Sequence, residues 1–311
     1  LYRAHPDWCL NEPGLPRPTE RNQLVLDFTR PEVGDHIHAC IAKLLRENDI
    51  AYLKWDHNRR LFPLPASGAH PGRLEMMWHQ LRAEFPATMI ESCSSGGGRI
   101  DMGILGRIER FWPSDNNDAI ERVRIMREWS RFLPLEVLGN HVGPSPNPIT
   151  GRRVAMDFRA KVAVFGHMGV EADPARMTDK ERECLAAHIG LYKEWRGVLH
   201  AGDLHHLVHP DPHITAMIVK REGKALALVA QTAFSPVFDA APVRLAGLDP
   251  EARYRVTLPE PWSPRAKHYL AAPEWWRQGL TLSGTALMTQ GLALPLTQPE
   301  TAWLIALEKI A

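Results

Sequence analysis

At 311 residues, the chain is long enough for two domains, and its 44% hydrophobic and 23% charged residues are typical of an ordinary globular protein. A net charge of +1, without a basic cluster interleaved with aromatic residues, argues against a nucleic-acid or polyanion partner. Because no run of about 18 apolar residues occurs, we expect no segment that spans a membrane.

Strand patterns and helix patterns alternate through the first 200 residues. Short apolar runs that end in polar residues predict strands over residues 52–56, 88–92, 110–115, 135–139 and 169–172. Helical spacing of apolar residues, together with capping residues, predicts helices over residues 29–45, 74–81, 153–165 and 178–197, and from residue 118 onward. This alternation predicts a parallel sheet with helical crossovers.

Polar, glycine-rich strand ends favour a (β/α)8 TIM barrel over an open parallel sheet. A complete barrel needs about 250 residues, whereas only about 200 residues with five predicted strands are present in this region. We therefore expect an α/β fold that contains a partial TIM barrel, with about three further strand–helix units preceding Leu1.

The pattern changes after residue 200. Short strand-like runs at residues 215–219, 225–230, 243–245, 254–258 and 303–307 are separated by turn residues. We predict two domains. Residues 1–200 form the C-terminal part of the barrel, and residues 206–311 form a small antiparallel β-sandwich.

Polar side chains crowd the end of the first predicted strand, at Lys54, Asp56, Asn58 and Arg59. Charge at the end of a buried strand is costly unless it lines a site, and the catalytic groups of α/β barrels lie at C-terminal strand ends. Asp115 ends the next strand but one, so the two carboxylates can face each other across a cleft, as glycoside hydrolysis requires. The alternative is that both aspartates are ion-pair or helix-cap residues.

A glycine run at residues 96–98 follows the second predicted strand. It matches neither phosphate-binding pattern, because Arg99 stands where a P-loop needs lysine and Asp101 where a dinucleotide loop needs glycine. The run either offers N–H donors to a hydroxyl-rich ligand or forms a plain tight turn. We interpret Cys93 as a pocket-wall residue, since no base can be placed beside it. His141, at another strand end, is either a pocket donor or a structural residue.

The four cysteines are widely spaced and form no CxxC pair; they are Cys9, Cys40, Cys93 and Cys184. This spacing argues against a structural zinc site and is typical of a reducing compartment, so we expect a cytoplasmic protein. Ten tryptophans either fill cores or offer flat apolar faces to sugar rings, and their count alone does not decide between the two.

Several segments, in this order, resemble glycoside hydrolase family 36, the microbial α-galactosidases. They are residues 21–27 (RNQLVLD), 54–59 (KWDHNR), 91–99 (ESCSSGGGR), 112–118 (WPSDNND) and the loop at residues 140–141. The segment at 54–59 resembles the nucleophile motif, although His57 stands where the family usually has another residue. The segments at 91–99 and 112–118 resemble the sugar-binding loop and the acid/base motif. The resemblance covers nearly the whole chain.

The resemblance implies that Asp56 is the nucleophile and Asp115 the acid/base. The substrate-binding residues that it implies are Arg21, Lys54, Asn58, Cys93 and Gly96. The family's fold is a (β/α)8 barrel between an N-terminal β-domain and a C-terminal β-sandwich. On this reading the chain begins near strand four, which Asp56 ends, and continues to strand eight, with Asp115 at the end of strand six.

The implied function is that of a retaining α-galactosidase, which hydrolyses melibiose- or raffinose-type sugars by double displacement. Its partner is a galactosylated oligosaccharide, no metal or organic cofactor is needed, and homo-oligomers are common in the family. Two alternatives stay open. One is a related α-glycoside hydrolase or transglycosylase, such as an α-N-acetylgalactosaminidase, and the other is an inactive carbohydrate-binding fragment.

Overall fold

The computed structural model of the protein describes residues 1–59, 61, 69–235, 240–259, 273–294 and 299–310. The chain divides into two units, Leu1–Asp115 and Asn116–Ala311. Helices and strands alternate in the first unit, in the order α1 (Pro31–Glu47), β1 (Tyr52–Asp56), α2 (Ala69–Glu84), β2 (Met89–Cys93), α3 (Met102–Leu105) and β3 (Arg110–Phe111).

The three strands of the first unit form a parallel sheet in the order β1-β2-β3. Ile90 of β2 and Phe111 of β3 are buried. The ring of Trp78, a fully buried residue of α2, meets the ring of Trp55 of β1 edge to face at 5.9 Å. Helix α2 therefore packs on one face of the sheet, as expected for a helical crossover between parallel strands.

Strand β1 lies at an edge of this sheet in the described part of the chain. Tyr52, Lys54 and Asp56 are exposed, whereas Leu53 and Trp55 are half-buried. Among the described residues, β1 pairs along only one side, with β2.

The β/α alternation continues in the second unit with α4 (Ala119–Trp129), β4 (Gly139–Val142), α5 (Met156–Val164), β5 (His167–Val170) and α6 (Asp179–Ala201). Strands β4 and β5 pair in parallel. Helix α5 is buried along nearly its whole length and contacts both β4 and α6.

The remainder of the second unit is built on an antiparallel sheet. Its elements are β6 (Asp203–Leu207), β7 (Ile214–Arg221), β8 (Lys224–Gln231), β9 (Arg253–Thr257), α7 (Trp275–Gln278), β10 (Leu280–Ser283), α8 (Gly284–Thr289) and β11 (Thr301–Ile310). The strands form one six-stranded sheet in the order β10-β9-β11-β8-β7-β6.

Strand β11 is an interior strand of this sheet, and its residues from Thr301 to Leu307 are buried on both faces. Trp303, Ile305 and Leu307 project into a large apolar cluster on one face. On the other face, α5 contacts β11, and the fully buried Lys161 of α5 donates a hydrogen bond from Nζ to the carbonyl oxygen of Ala302, at 3.1 Å. The sheet and helix α5 therefore share one interior.

Strands are found in all five regions predicted before residue 200. Only β1 has the predicted bounds; β2 and β5 are shifted by one or two residues, and β3 and β4 differ more. Strand β3 stops at Phe111. The N–H of Trp112 still donates to Ser92, but the next carbonyl on that edge of β2, at Ser94, accepts from the N–H of Gly98 instead. In the fourth region, Leu135–Val137 form a 3-10 turn and β4 begins only at Gly139, so residues 140–141 lie within the strand.

The antiparallel β-structure predicted after residue 206 is confirmed, but the described residues form a single sheet rather than two stacked sheets. The run at residues 243–245 contributes only an isolated bridge between Val243 and Leu292. Neither β6 nor β10 is evident from the sequence. Strand β6 carries two adjacent histidines and therefore lacks a clear apolar alternation.

The predicted helix start at Asp118 is confirmed. The Asp118 carboxylate is buried and accepts hydrogen bonds from the N–H groups of Ile120 and Glu121 at the start of α4. It also accepts hydrogen bonds from Thr150 and, at 2.7 Å, from Arg152. Burial by itself would raise the pKa of Asp118, but these hydrogen bonds outweigh it and lower the pKa.

We expect Asp118→Asn to lower the free energy of unfolding by about 1.5–3 kcal/mol at neutral pH, because it removes the charge that Arg152 and the helix start require. Since the folded-state pKa is lowered, this stabilisation is present above the ordinary carboxyl pKa and is lost as the pH falls through the folded-state pKa. Urea unfolding at several pH values measures the difference.

A matched control is Asp179→Asn, which changes an exposed acid in the first turn of α6. This control should shift stability by less than about 0.5 kcal/mol. Equal urea midpoints for the two variants, or a difference that grows towards acidic pH, would contradict the role given to Asp118.

Candidate active site

The candidate site lies at the carboxyl end of the parallel sheet in the first unit. Asp56 is the last residue of β1 and pairs in register with Cys93, the last residue of β2. The glycine loop, defined as residues 94–98, follows directly. Asp115 follows β3 by four residues. Because parallel strands place their carboxyl ends at one edge, the sequence-predicted residues of all three strands meet there.

Asn58 links the Asp56 carboxylate to the glycine loop. Its Nδ2 donates to Asp56 Oδ2 at 2.6 Å, and its Oδ1 accepts from the N–H of Ser95 at 3.1 Å. The loop is also tied to the chain after β1, because Ser94 Oγ donates to the carbonyl oxygen of His57 at 2.8 Å. Asp56 itself is exposed, so its carboxylate is oriented and still accessible.

Gly96 joins the glycine loop to Asp115. It has a positive φ of +81°, and a Cβ at this position would lie 2.7 Å from Ser114 Cα and 2.8 Å from the Asp115 nitrogen. Only glycine permits so close an approach. The loop therefore contacts Asn58, the partner of Asp56, through Ser95 and the backbone of Asp115 through Gly96. Ser95 and Gly96, which are adjacent in the glycine loop, thus connect to Asp56 and to Asp115, the two predicted catalytic residues.

Cys93 is a buried thiol that hydrogen-bonds to Asp56. Its pKa is raised to about 11; burial is the main cause, a backbone hydrogen bond with Gly96 opposes it, and the hydrogen bond to Asp56 adds to the increase. The thiol is therefore protonated at neutral pH and acts as a donor rather than as a nucleophile. The interpretation of Cys93 as a pocket-wall residue stays a prediction, although its ground changes, because the Asp56 carboxylate lies beside the thiol.

Lys54 is held between a carboxylate and an aromatic ring. Its Nζ lies 3.3 Å from Oε1 of the fully buried Glu91 and 5.1 Å from the ring centre of Trp112. The Lys54 side chain keeps 38% of its surface exposed. Its ammonium is thus fixed and remains available to a ligand.

Arg99 ties the ends of β1 and β2 together, a role that the sequence analysis does not assign. Its Nη2 donates to the carbonyl oxygens of Trp55 and Cys93, each at 3.2 Å, and its guanidinium lies 4.8 Å from the ring centre of Trp78. Burial lowers its pKa to about 10, so it remains a cation at neutral pH. Its place directly after the glycine run is the only signal in the sequence.

Arg21 lies at the tip of a tight turn. Arg21 and Asn22 both have positive φ, and the N–H of Gln23 donates to Glu20, which defines a type I′ turn. The buried Arg59 anchors this loop to the end of β1 through contacts with Pro18 and Glu20. Arg21 is exposed, and no contact among the described residues joins it to Asp56 or to the glycine loop.

An open cleft of about 180 Å³ lies beside the end of β1. Asp56 and Asn58 line it, together with the segment at residues 23–26. His57 also lines this cleft, and burial followed by the charge of Arg99 lowers its pKa, so it is neutral at pH 7. Five of the predicted site residues are not among its described lining residues; they are Arg21, Lys54, Cys93, Gly96 and Asp115.

The residues that follow Asp115 and the predicted residue His141 lie in the second unit. Asn117 donates to Glu171 Oε2 at 2.7 Å, and His141 lies 3.3 Å from Glu171 Oε1. Burial by itself would raise the pKa of Glu171, but the contacts with His141 and Asn117 lower it overall. His141 therefore has a charged partner within its own unit.

Among the residues that the structure describes, no helix is long and apolar enough to cross a bilayer. In the same ranges, no cluster of three or more His, Cys, Asp or Glu side chains is arranged to hold a metal ion.

We expect Gly96→Ala to lower the free energy of unfolding by about 1–3 kcal/mol, because alanine at positive φ is strained and its Cβ meets the backbone of Ser114. Gly106→Ala is the matched control. Gly106 has a φ of −75°, and no heavy atom lies within 4 Å of the added Cβ. This control should change stability by less than about 1 kcal/mol, in the stabilising direction if at all. Urea unfolding that ranks the two variants equally would contradict the close approach.

Two family models match the chain, the Melibiase model over residues 1–202 and the glycosyl hydrolase family 36 C-terminal domain over residues 213–307. An α-galactosidase of Escherichia coli is 40% identical over 99% of this chain and 45% of its own length. The α-galactosidase AgaA of Geobacillus stearothermophilus is 35% identical over 82% of this chain and 37% of its own length. The chain thus spans less than half the length of these relatives.

Solved structures give the same result. The galactosidase domain of the α-galactosidase–sucrose kinase AgaSK matches with a TM-score of 0.87 and 33% identity, over 99% of this chain and 41% of its own. A variant of AgaA from Geobacillus stearothermophilus in complex with raffinose matches with a TM-score of 0.88 and 29% identity, over 99% and 42%. The predicted fold class is confirmed in its coarser form, a β/α region of the TIM-barrel type followed by an antiparallel sheet. With a match over residues 1–202 to Melibiase and over residues 213–307 to the C-terminal domain, the chain belongs to glycoside hydrolase family 36.

Proposed function

We propose that the protein to which this chain belongs is a retaining α-galactosidase, which removes terminal α-D-galactosyl residues from oligosaccharides of the melibiose and raffinose type. One observation carries the proposal, namely that Asp56 and Asp115 are both tied to a single glycine loop at the carboxyl end of a parallel sheet. The relatives named as α-galactosidases, and the neighbouring structures in complex with raffinose and stachyose, support the choice of sugar.

We also propose that β1 to β5 correspond to strands four to eight of a (β/α)8 barrel, with Asp56 ending strand four and Asp115 ending strand six. The parallel pairing within each unit and the likeness to the family 36 structures support this assignment. The C-terminal sheet, with the apolar cluster over one of its faces, would be the principal layer of the family's β-sandwich.

In the proposed mechanism, Asp56 attacks the anomeric carbon while Asp115 donates a proton to the leaving glycosidic oxygen. The bond to the leaving group breaks and a covalent galactosyl-enzyme forms. Asp115 then takes a proton from water, which attacks the same carbon and releases galactose with retained configuration. Asn58 and Cys93 hold the Asp56 carboxylate by hydrogen bonds, which orient it for attack.

The proposed substrate contacts follow from where the donors lie. The half-exposed ammonium of Lys54 offers N–H donors to sugar hydroxyls. The loop backbone at Gly96 and the polar groups of Asn58 and Cys93 lie beside Asp56. Arg21 lies at an exposed turn tip, two residues before Gln23, which lines the cleft. Arg21 would reach the sugar from this side.

A cytoplasmic location and a homo-oligomeric state are also proposals. All four cysteines are free, which supports a reducing compartment. The oligomeric state rests on the family resemblance alone, and light scattering on the complete protein would measure it.

Asp56→Ala in the complete protein should reduce hydrolysis of an aryl α-galactoside by several orders of magnitude, because it removes the carboxylate that forms the covalent intermediate in the proposed mechanism. Asp49→Ala, which changes an exposed acid between α1 and β1, is the control and should leave the rate unchanged. Rates are measured by release of the phenol. Full activity of the Asp56 variant would refute the nucleophile assignment. Galactose binding without turnover by the wild type would instead favour the carbohydrate-binding alternative.

Asp115→Ala separates the two catalytic roles. With a poor leaving group, loss of the general acid should slow the reaction by about 10²–10⁴-fold. With an acidic phenol as the leaving group, the first step needs no proton, so a burst of phenol should precede a slow steady state. A variant that slows both substrates equally and shows no burst would contradict the acid/base assignment.

A further inference from the structure

A row of three charged residues crosses the parallel sheet of the first unit just before the candidate site. Lys54 of β1 pairs in register with Glu91 of β2, and Glu91 pairs with Arg110 of β3. Residues directly opposite one another on neighbouring strands project from the same face. The charges therefore alternate in sign across the row, as positive, negative and positive.

Glu91 is the buried centre of this row. None of its side-chain surface is exposed, against 38% for Lys54 and 12% for Arg110. One carboxylate oxygen, Oε1, lies 3.3 Å from Lys54 Nζ. The other, Oε2, lies 2.9 Å from Arg110 Nε and accepts a hydrogen bond from the Tyr52 hydroxyl. A buried carboxylate is tolerated only with such partners.

Tyr52 and Arg110 fix the position of the Glu91 carboxylate. Burial, followed by the hydrogen bond to Glu91, raises the pKa of Tyr52, so its hydroxyl stays a donor. The Arg110 guanidinium also lies 5.7 Å from the centre of the Tyr52 ring. Because Oε2 is engaged by these two groups, Oε1 is directed to Lys54.

Lys54 shares a strand face with Asp56, since the two residues are two positions apart on β1. A free lysine side chain is flexible and samples many rotamers. Here Glu91 and the Trp112 ring hold the ammonium from two sides, and Trp112 begins the segment that carries Asp115. The ammonium is therefore held in place before any ligand arrives.

We propose that Glu91 is a positioning residue, which holds the Lys54 ammonium beside Asp56 so that it can donate hydrogen bonds to the hydroxyls of the galactosyl unit. This inference rests on the proposed α-galactosidase function. Because Glu91 is fully buried, it acts on the substrate only through Lys54. Arg110 and Tyr52 serve in turn to fix Glu91.

The test is a double-mutant cycle in the complete protein, with Glu91→Gln, Lys54→Met and the double variant compared by kcat and KM on an aryl α-galactoside. We expect Glu91→Gln to lower kcat/KM by about 10- to 100-fold, as for a displaced binding group. If Glu91 acts through Lys54, the double variant should be no worse than Lys54→Met alone. Losses that multiply in the double variant would overturn the proposal.

Two further variants separate positioning from simple structural damage. Glu109→Gln is the matched control, because Glu109 also bonds to β2, at the N–H of Ile90, and pairs with Arg82 instead of Lys54. It should leave KM unchanged. Glu91→Asp keeps the buried charge but draws it back from Lys54, so it should fold and still raise KM. Full activity of Glu91→Asp would overturn the proposal even if Glu91→Gln does not fold.

Activity of the wild-type protein separates a failure of the proposed α-galactosidase function from a failure of the positioning role of Glu91. If the wild-type protein does not hydrolyse the galactoside, the proposed function fails and the positioning role falls with it. If the wild type is active and the Glu91 variants match it, only the positioning role is refuted. Thermal unfolding of each variant shows whether the compared proteins are folded.

Discussion

The close packing of Gly96 on the backbone of Ser114 and Asp115 is the constraint on which the candidate site depends. Two backbone segments can approach this closely only where no Cβ intervenes. One residue earlier, Ser95 bonds to Asn58 and so to the Asp56 carboxylate. The glycine loop thus serves as a common reference for two acids that lie 59 positions apart in the sequence.

Charge beneath this loop is fixed by burial and pairing. Glu91 is enclosed by partners, and Arg99 bonds to the carbonyl groups of Trp55 and Cys93. Such groups cannot reorient as water does, so their field at the strand ends is constant. Polar groups of the sheet therefore surround the exposed Asp56 in fixed positions, and they do not need to reorganise when a ligand binds.

The sequence predicts much of this arrangement, because the rules that govern parallel strands are local and general. That Asp56 and Cys93 lie at the ends of neighbouring strands follows from strand patterning alone, whereas the early end of β3 depends on a bond from Gly98 to Ser94 that the sequence does not show. The role of Glu91 is not predictable in this way. A glutamate in an apolar strand acquires its meaning only from the register that places Lys54 on one side and Arg110 on the other.

Contacts between distant loops and exposure are equally hidden from the sequence. Nothing local indicates that Arg59 is buried against the carbonyl of Pro18, 41 residues earlier, or that the turn bearing Arg21 is anchored in this way. Whether a strand such as β1 is buried depends on how many neighbours it has in the sheet, which its own residues do not specify. The pattern of a single strand therefore predicts at which end of the sheet the site lies, but it does not predict how far the site residues are buried.

The hydrogen bond from Lys161 to Ala302 has a consequence for how this chain can evolve. Lys161 belongs to the β/α part that matches Melibiase, and Ala302 to the part that matches the C-terminal domain. A buried ammonium that loses its acceptor is strongly destabilising. Because the acceptor is a backbone carbonyl, an exchange of one part between homologues should be tolerated only where the position of β11 relative to α5 is kept, whatever side chain stands at residue 302.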